Sequence, residues 1–134
     1  MNRTEFFNEY KTFIKLAMRL AEKARSQGIL SLEDETEDID DENFKQGLRF
    51  VVDGIDPGII DEIYTNVVYF EKDEYTRQLK TIQKRTVQGL QQGDNPRLLF
   101  YVLNSYANLS PDEKKEIELG FFNDTPDDLD LDNK

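Results

Sequence analysis

The sequence contains no cysteine and no histidine among its 134 residues. Without these two residues there is no thiolate nucleophile, no disulfide, no imidazole base and no ordinary zinc site. Carboxylates, hydroxyls and amines are the only catalytic groups left. Neighbouring carboxylates on a helix surface point to different faces in water, whereas a general acid needs burial that raises its pKa. We therefore predict that the protein is not an enzyme and needs no cofactor.

Long hydrophobic runs are also missing. A transmembrane helix needs roughly 20 apolar residues in succession, and the longest apolar stretches here, such as Val67–Phe70, span only a few. The chain also lacks a basic start followed by an apolar stretch, the pattern of a signal peptide. These absences predict a cytoplasmic protein that does not insert directly into a membrane.

Basic residues are scarce relative to acidic ones. The chain has 17 Lys and Arg against 28 Asp and Glu, a formal net charge of −11. Nucleic acids attract clustered basic residues, so an acidic chain is a poor candidate for binding them. Most of the excess acid lies in two segments, 33–42 and 123–134, and the rest of the chain is close to neutral. We predict no nucleic-acid partner.

Eight of the ten residues from Glu33 to Glu42 are acidic. Self-repulsion predicts an acidic loop there, without a well-ordered helix. An EF-hand calcium loop needs Gly at its sixth position and Glu at its twelfth, and frames starting at Asp34 or Asp38 provide neither. We predict no metal site in this run, and a disordered acidic tail over 123–134.

Apolar residues recur at steps of three and four along most of the chain, and no alternating strand pattern appears. The sequence therefore predicts an all-α fold, a compact bundle of about five helices in a single domain over 1–122. The predicted helices are 4–27, 41–53, one long helix from 57 to about 92, 96–108, and 111 to about 120.

Capping signals mark most of the predicted helix ends. Thr4 is the expected N-cap of the first helix and Gly28 its expected end. Restarts are predicted where a cap residue precedes proline, at Asp56 and Asn95, and a capping box is predicted from Ser110 and Glu113.

Four charged residues are candidates for binding a partner: Arg25, Glu33, Arg49 and Arg97. Arg25 ends the first helix, and from the residues alone its charge is better explained by neutralisation of the negative end of the helix dipole. Glu33 can be read as the first residue of the acidic run, Arg49 as a helix-surface cation and Arg97 as a first-turn residue. Phe121 and Phe122 follow Gly120 and can either cover the first helix or mark an exposed partner site.

Two blocks of sequence resemble a known family. Residues 21–33 (AEKARSQGILSLE) and 44–57 (FKQGLRFVVDGIDP) resemble the cytoplasmic loop of MotA, the flagellar motor stator protein. Residues 88–99 (QGLQQGDNPRLL), with Leu109-Ser110-Pro111, resemble the tail that follows the last MotA membrane helix.

The resemblance implies a role for two of the candidates. In MotA, an Arg and a Glu of this loop engage oppositely charged residues on the rotor's switch protein, and the matching positions are Arg25 and Glu33. In MotA, membrane helices lie between the two blocks, whereas here the charged segment 71–84 does. We therefore expect no ion channel in this chain.

Two functions follow from the resemblance. The first is a MotA-like protein at the cytoplasmic face of the flagellar motor that binds the switch or a stator component through charged residues. The second is an all-helical scaffold or adaptor that assembles with itself as a homo-oligomer, or with another protein of the motor envelope, through the apolar face of the first helix and the Phe121–Phe122 end.

Overall fold

The computed structural model describes residues 1–124, with side chains as far as Phe121, and contains no strand in that range. The predicted all-α class is confirmed. The elements are α1 (Arg3–Gln27), a 3-10 turn (Ile29–Leu32), α2 (Glu33–Thr36), α3 (Glu42–Val52), α4 (Pro57–Phe70), α5 (Glu74–Gln92), α6 (Pro96–Ala107) and α7 (Pro111–Asp124).

The neighbours at the two ends of α1 show how it lies in the bundle. At its start, Arg3 Nε and Nη2 donate to the Glu113 carboxylate at 2.9 and 2.5 Å, and Arg3 Nη2 also donates to the carbonyl of Asn108 at 3.0 Å. At its end, Arg25 lines a small cleft with Asp94. Helix α1 therefore runs antiparallel to α6.

Helix α5 contacts α1, α3, α4 and α6, so it lies at the centre of the bundle. The side-chain amide of Asn43 donates to the side-chain oxygen of Gln83 at 2.6 Å, and the side-chain amide of Gln91 donates to the backbone carbonyl of Ile55 at 2.7 Å. These two bonds show that α3 runs parallel to α5. On α4, Asp61 pairs with Lys84 at 3.0 Å.

Buried amide and hydroxyl side chains interrupt an otherwise apolar core, and two tyrosine hydroxyls in it reach oxygen acceptors. Tyr10 donates to the side-chain oxygen of Asn104, and Tyr64 donates to the carbonyl of Asn43, each at 2.7 Å. Burial raises the pKa of both tyrosines, so both remain neutral donors. The largest fully buried side chains are Tyr10, Tyr64, Phe6, Phe44, Phe100, Leu20, Leu32, Leu48, Ile60, Ile82, Leu99 and Leu103.

Most of the predicted helix ends are confirmed. Asp56 and Asn95 cap α4 and α6 ahead of Pro57 and Pro96, and Ser110 with Glu113 forms the expected capping box. Gly28 ends α1 with φ +91°, a value that L side chains rarely adopt.

The predicted cap at Thr4 is wrong. Asn2 caps α1, because its side chain accepts from the amide of Glu5 at 2.8 Å while the Glu5 carboxylate reaches back to the amide of Asn2. This reciprocal pair satisfies two free donors, which the Thr4 hydroxyl would not do.

The single long helix predicted from 57 to about 92 is also wrong, because the chain leaves the helix between Phe70 and Glu74. Asp73 caps α5 by accepting from the amide of Thr76 at 2.9 Å, and Glu71 accepts from the amide of Asp73 at 3.1 Å. The charged residues of this stretch thus bind free backbone amides. The break and the short α2 bring the described part of the chain to seven α-helices instead of five.

Helix α7 continues past the predicted end at Gly120 to Asp124. Phe121 is half-buried and stacks on Phe100 of α6, with ring centroids 4.3 Å apart. Phe121 therefore covers part of the bundle, which agrees with the prediction of a covering role and not with that of an exposed partner site. The side chain of Phe122 and residues 125–134 of the predicted acidic tail lie outside the described residues, and the division into 1–122 and 123–134 stays a prediction.

Gly47 on α3 lets the side chains of Tyr64 and Val87 pack directly against its backbone. A Cβ at this position would lie 2.0 Å from Tyr64 Oη and 2.6 Å from Val87 Cγ2. We expect Gly47→Ala to lower the free energy of unfolding by about 1–3 kcal/mol, because overpacking displaces the buried tyrosine.

Urea unfolding followed by circular dichroism tests this, with Gly120→Ala as the control. A Cβ at Gly120 meets no atom of the described residues within 4 Å, so alanine at this helical glycine should leave the free energy of unfolding unchanged or raise it by up to about 1 kcal/mol. Equal midpoints for the two variants would contradict the packing described.

Candidate partner-binding surface

The acidic segment, residues 33–42, is folded against the bundle. Instead of the predicted loop, it opens with α2, and residues before, inside and after α2 are anchored in the core. Leu32, Thr36 and Ile39 are 0, 6 and 5% exposed. Burial of the two aliphatic side chains stabilises the segment by roughly 2 kcal/mol each.

Repulsion within the segment is offset by cations of α1. The Glu35 carboxylate accepts from Arg19 and, at 2.8 Å, from Lys23. Arg19 and Lys23 lie one helical turn apart, so both face the same carboxylate. Their hydrogen bonds hold the pKa of Glu35 below its usual range. We call this three-residue contact the clasp.

Arg25 and Glu33 lie on either side of the turn between α1 and α2. Arg25 is in the last turn of α1, Glu33 is the first residue of α2, and both side chains are exposed. The structure shows no ion pair for either one within residues 1–124. We call residues 25–33 the charged turn.

The other two predicted residues are placed differently. Arg49 lies on α3 and pairs with Glu37 at 3.5 Å, so its charge is already partly compensated. Arg97 is half-exposed in the first turn of α6, where Asn95 accepts from its backbone amide at 2.9 Å. Arg97 lies just after the α5–α6 turn, and Asp94 of that turn lines the same small cleft as Arg25. Arg97 and Arg25 therefore lie at the same end of the bundle.

The structure therefore brings Arg25, Glu33 and Arg97 to one end of the bundle and leaves Arg49 on its side. The sequence reasoning missed the clasp. The four-residue spacing of Arg19 and Lys23 predicts that both lie on one helix face. No neighbouring residue in the sequence indicates that Glu35 is their partner.

The chemistry available here is charge recognition. The described carboxyl groups with shifted pKa values, Glu35, Glu71, Asp73 and Glu113, are all shifted downward by hydrogen bonds, the reverse of what a general acid requires. Within residues 1–124 no three potential metal ligands lie close enough together to hold an ion.

Three curated proteins are similar to part of this chain. Motility protein A of Borreliella burgdorferi is 48% identical over 63 residues, which are 47% of this chain and 23% of that protein. Motility protein A of Treponema phagedenis is 39% identical over 72 residues, and that of Treponema pallidum 41% over 56 residues, covering 54% and 42% of this chain. The resemblance to the MotA family is confirmed.

The similarity to MotA is partial. The matched residues span about a quarter of the length of these relatives, at 23, 28 and 22%. No protein-family model and no solved structure matches the chain. The similarity relates the chain to flagellar motility, and none of the described helices has the length and hydropathy needed to cross a membrane.

The clasp should make the folded state sensitive to acid. Because its folded-state pKa is below the unfolded value of 4.5, Glu35 stabilises the fold above about pH 4.5 and loses this effect as the pH falls through the folded-state pKa. We expect Glu35→Gln to lower the free energy of unfolding by about 1 kcal/mol at pH 7.

Urea unfolding at pH 7 and at about pH 3 checks this. The difference between Glu35→Gln and the wild type should shrink at the lower pH. Glu37→Gln is the matched control, since Glu37 is 79% exposed and its pair with Arg49 is long. Equal effects of the two variants at pH 7 would contradict a stabilising clasp.

Proposed function

We propose that this chain is a MotA-like module that takes part in flagellar motility by binding the switch protein of the rotor, or a stator component, through the charged turn. The observation that carries the proposal is the pair of exposed charges, Arg25 and Glu33, on a turn of the segment that resembles MotA. In that family the matching positions engage the rotor's switch protein.

Electrostatics support this use of the two residues. An exposed charge without an internal partner can enter a new ion pair without first breaking an old one. Exposed pairs contribute about 0–1 kcal/mol each, so two of them do not make a tight complex. Complementary charge does raise the encounter rate and set the register of docking, which suits a contact that forms and breaks repeatedly.

The residues in and beside the charged turn are held in place by the fold. Leu32 is fully buried directly before Glu33, and the clasp fastens Glu35 two residues after it. Arg25 extends from the last turn of a 25-residue helix that is anchored in the core along one face. Less ordering entropy is lost on binding when the contacting groups are already held by the fold.

We also propose where the module acts and what each of its charged residues contributes. The module acts at the cytoplasmic face of the motor, without an ion channel of its own. Arg97, at the same end of the bundle, extends the surface formed by Arg25 and Glu33. Arg49 contributes less, because it already pairs with Glu37.

Charge reversal at the charged turn tests this function. Arg25→Glu with Glu33→Lys keeps the net charge, and neither side chain has a hydrogen bond or ion pair within residues 1–124 for the exchange to disturb. We expect affinity for the purified switch protein to fall about tenfold and swimming in the native host to be impaired, because like charges then face each other.

The matched control reverses Glu62 and Lys72, which are exposed and lie on α4 and in the link that follows it, outside α1 and α2. It should bind and swim as the wild type does. If the charged-turn variant also binds and swims normally, the assignment of this surface is wrong.

A second candidate function is self-assembly, and one observation favours it on a different surface from the one predicted. The apolar face of α1 is not available, since Phe6, Tyr10 and Leu20 are fully buried. Helix α4 instead exposes Ile59, Tyr69 and Phe70, at 51, 76 and 74%. An exposed apolar face of this kind is typical of contacts between chains.

Light scattering over a range of concentrations separates the two functions. If α4 joins copies of the chain, the measured mass should rise with concentration and Tyr69→Ser with Phe70→Ser should return it to the monomer value. The matched control is Leu30→Ser, an exposed apolar residue far from α4 in sequence. A monomer at every concentration would leave no self-assembly to explain.

A further inference from the structure

A groove of about 740 Å³ runs along α1 on the side covered by the end of the acidic segment. Its α1 wall extends from Asn8 to Arg19, about 17 Å at 1.5 Å per residue. Residues 38–41, Phe44, Leu79 and Gln83 complete its lining. We call it the acid-rimmed groove.

The floor of the groove is apolar. Its apolar lining residues are Phe13 and Leu16 on α1, which are half-buried, and Phe44 and Leu79, which are buried. Phe13 packs edge-on against Phe44, with ring centroids 4.9 Å apart. Phe13 and Leu16 are three residues apart on α1, so they lie side by side on one face of that helix and offer adjacent apolar contacts.

The rim of the groove, formed by Glu9 and residues 38–41, carries negative charge that ion pairs within the groove do not neutralise. Glu9, Asp38 and Asp40 are exposed and have no ion pair within residues 1–124, whereas Asp41 accepts from the amide of Phe44 at 2.9 Å. Arg19, the one cation among the lining residues, is held by Glu35. The groove therefore presents unpaired carboxylates around an apolar floor.

Two other occupants fit poorly. A metal ion does not suit the rim, since no three of its carboxylates lie close enough together to share one. The last residues of the chain, 123–134, carry five Asp and one Lys, so their charge has the same sign as the rim.

We propose that the acid-rimmed groove binds a basic amphipathic helix of a partner protein. Apolar residues of that helix at i, i+3 or i+4, and i+7 would pack on Phe13 and Leu16, and its Lys and Arg residues would face Glu9, Asp38 and Asp40. This is the helix-in-groove mode of recognition, with charge complementarity setting orientation. The groove is separate from the charged turn, so this site does not depend on the proposed function.

The test measures binding of a synthetic peptide of about 18 residues, built from Leu and Lys so that the leucines form one helical face. Fluorescence anisotropy with the full chain is recorded at about 50 mM and about 300 mM salt. A peptide with the same composition but no helical periodicity, and one with Glu in place of Lys, serve as peptide controls.

The rim variant is Asp38→Asn with Asp40→Asn. The matched control, Glu22→Gln with Glu62→Gln, removes the same charge at exposed positions outside the groove. We expect the rim variant to weaken binding of the periodic peptide about tenfold and the control to change it less than twofold. Amide shifts in NMR spectra should cluster at Thr12, Leu16 and Ile39.

Three outcomes would overturn the proposal. The first is no measurable binding of the periodic peptide, and the second is an equal loss in the rim and control variants, which would mean attraction to the overall negative charge alone. The third is equal binding of the periodic and non-periodic peptides, which would mean that the apolar floor does not recognise a helical face.

Discussion

The clasp of Glu35 by Arg19 and Lys23 determines where the acidic segment lies, and both candidate surfaces depend on it. Ten residues with eight negative charges would repel one another and leave the bundle. Two cations one turn apart on α1, together with the buried side chains of Leu32 and Ile39, hold them instead. The charged turn lies before this contact and the acid-rimmed groove after it.

Negative charge therefore has two different roles along one short segment. Glu35 is paired and structural, whereas Glu33, Asp38 and Asp40 are exposed and free to meet a partner. Surface charges contribute little to stability, so the unpaired ones cost the fold little and are available for steering and recognition. This division explains how a segment that looks like a solvated loop can belong to a functional surface.

The parts of the fold that the sequence predicts are those decided within a few residues. Asp56 before Pro57, Asn95 before Pro96, and Ser110 with Glu113 each satisfy free amides locally, and each marks a real helix start. The break at 71–73 was missed because helical periodicity continues across it on both sides.

The candidate surface was less predictable because it depends on residues distant in sequence. The repulsion within the acidic segment is evident from its own residues. The cations that offset it, Lys23 and Arg19, lie 12 and 16 positions before Glu35 in the sequence. The pairing of Arg49 with Glu37 is also a tertiary contact. Arg25 and Glu33 were identified by resemblance, since helix-end and surface roles explain their charges without a partner.

The measurement that tests this account most directly is the heteronuclear 15N NOE of the backbone amides of residues 29–39, compared with those of α1 in the same spectrum. It reports motion on the picosecond to nanosecond timescale. If the clasp and the buried anchors hold the segment, its values will equal those of α1. Values falling to those of an unconstrained chain would contradict the account, because neither the charged turn nor the acid-rimmed groove would then exist as a defined surface.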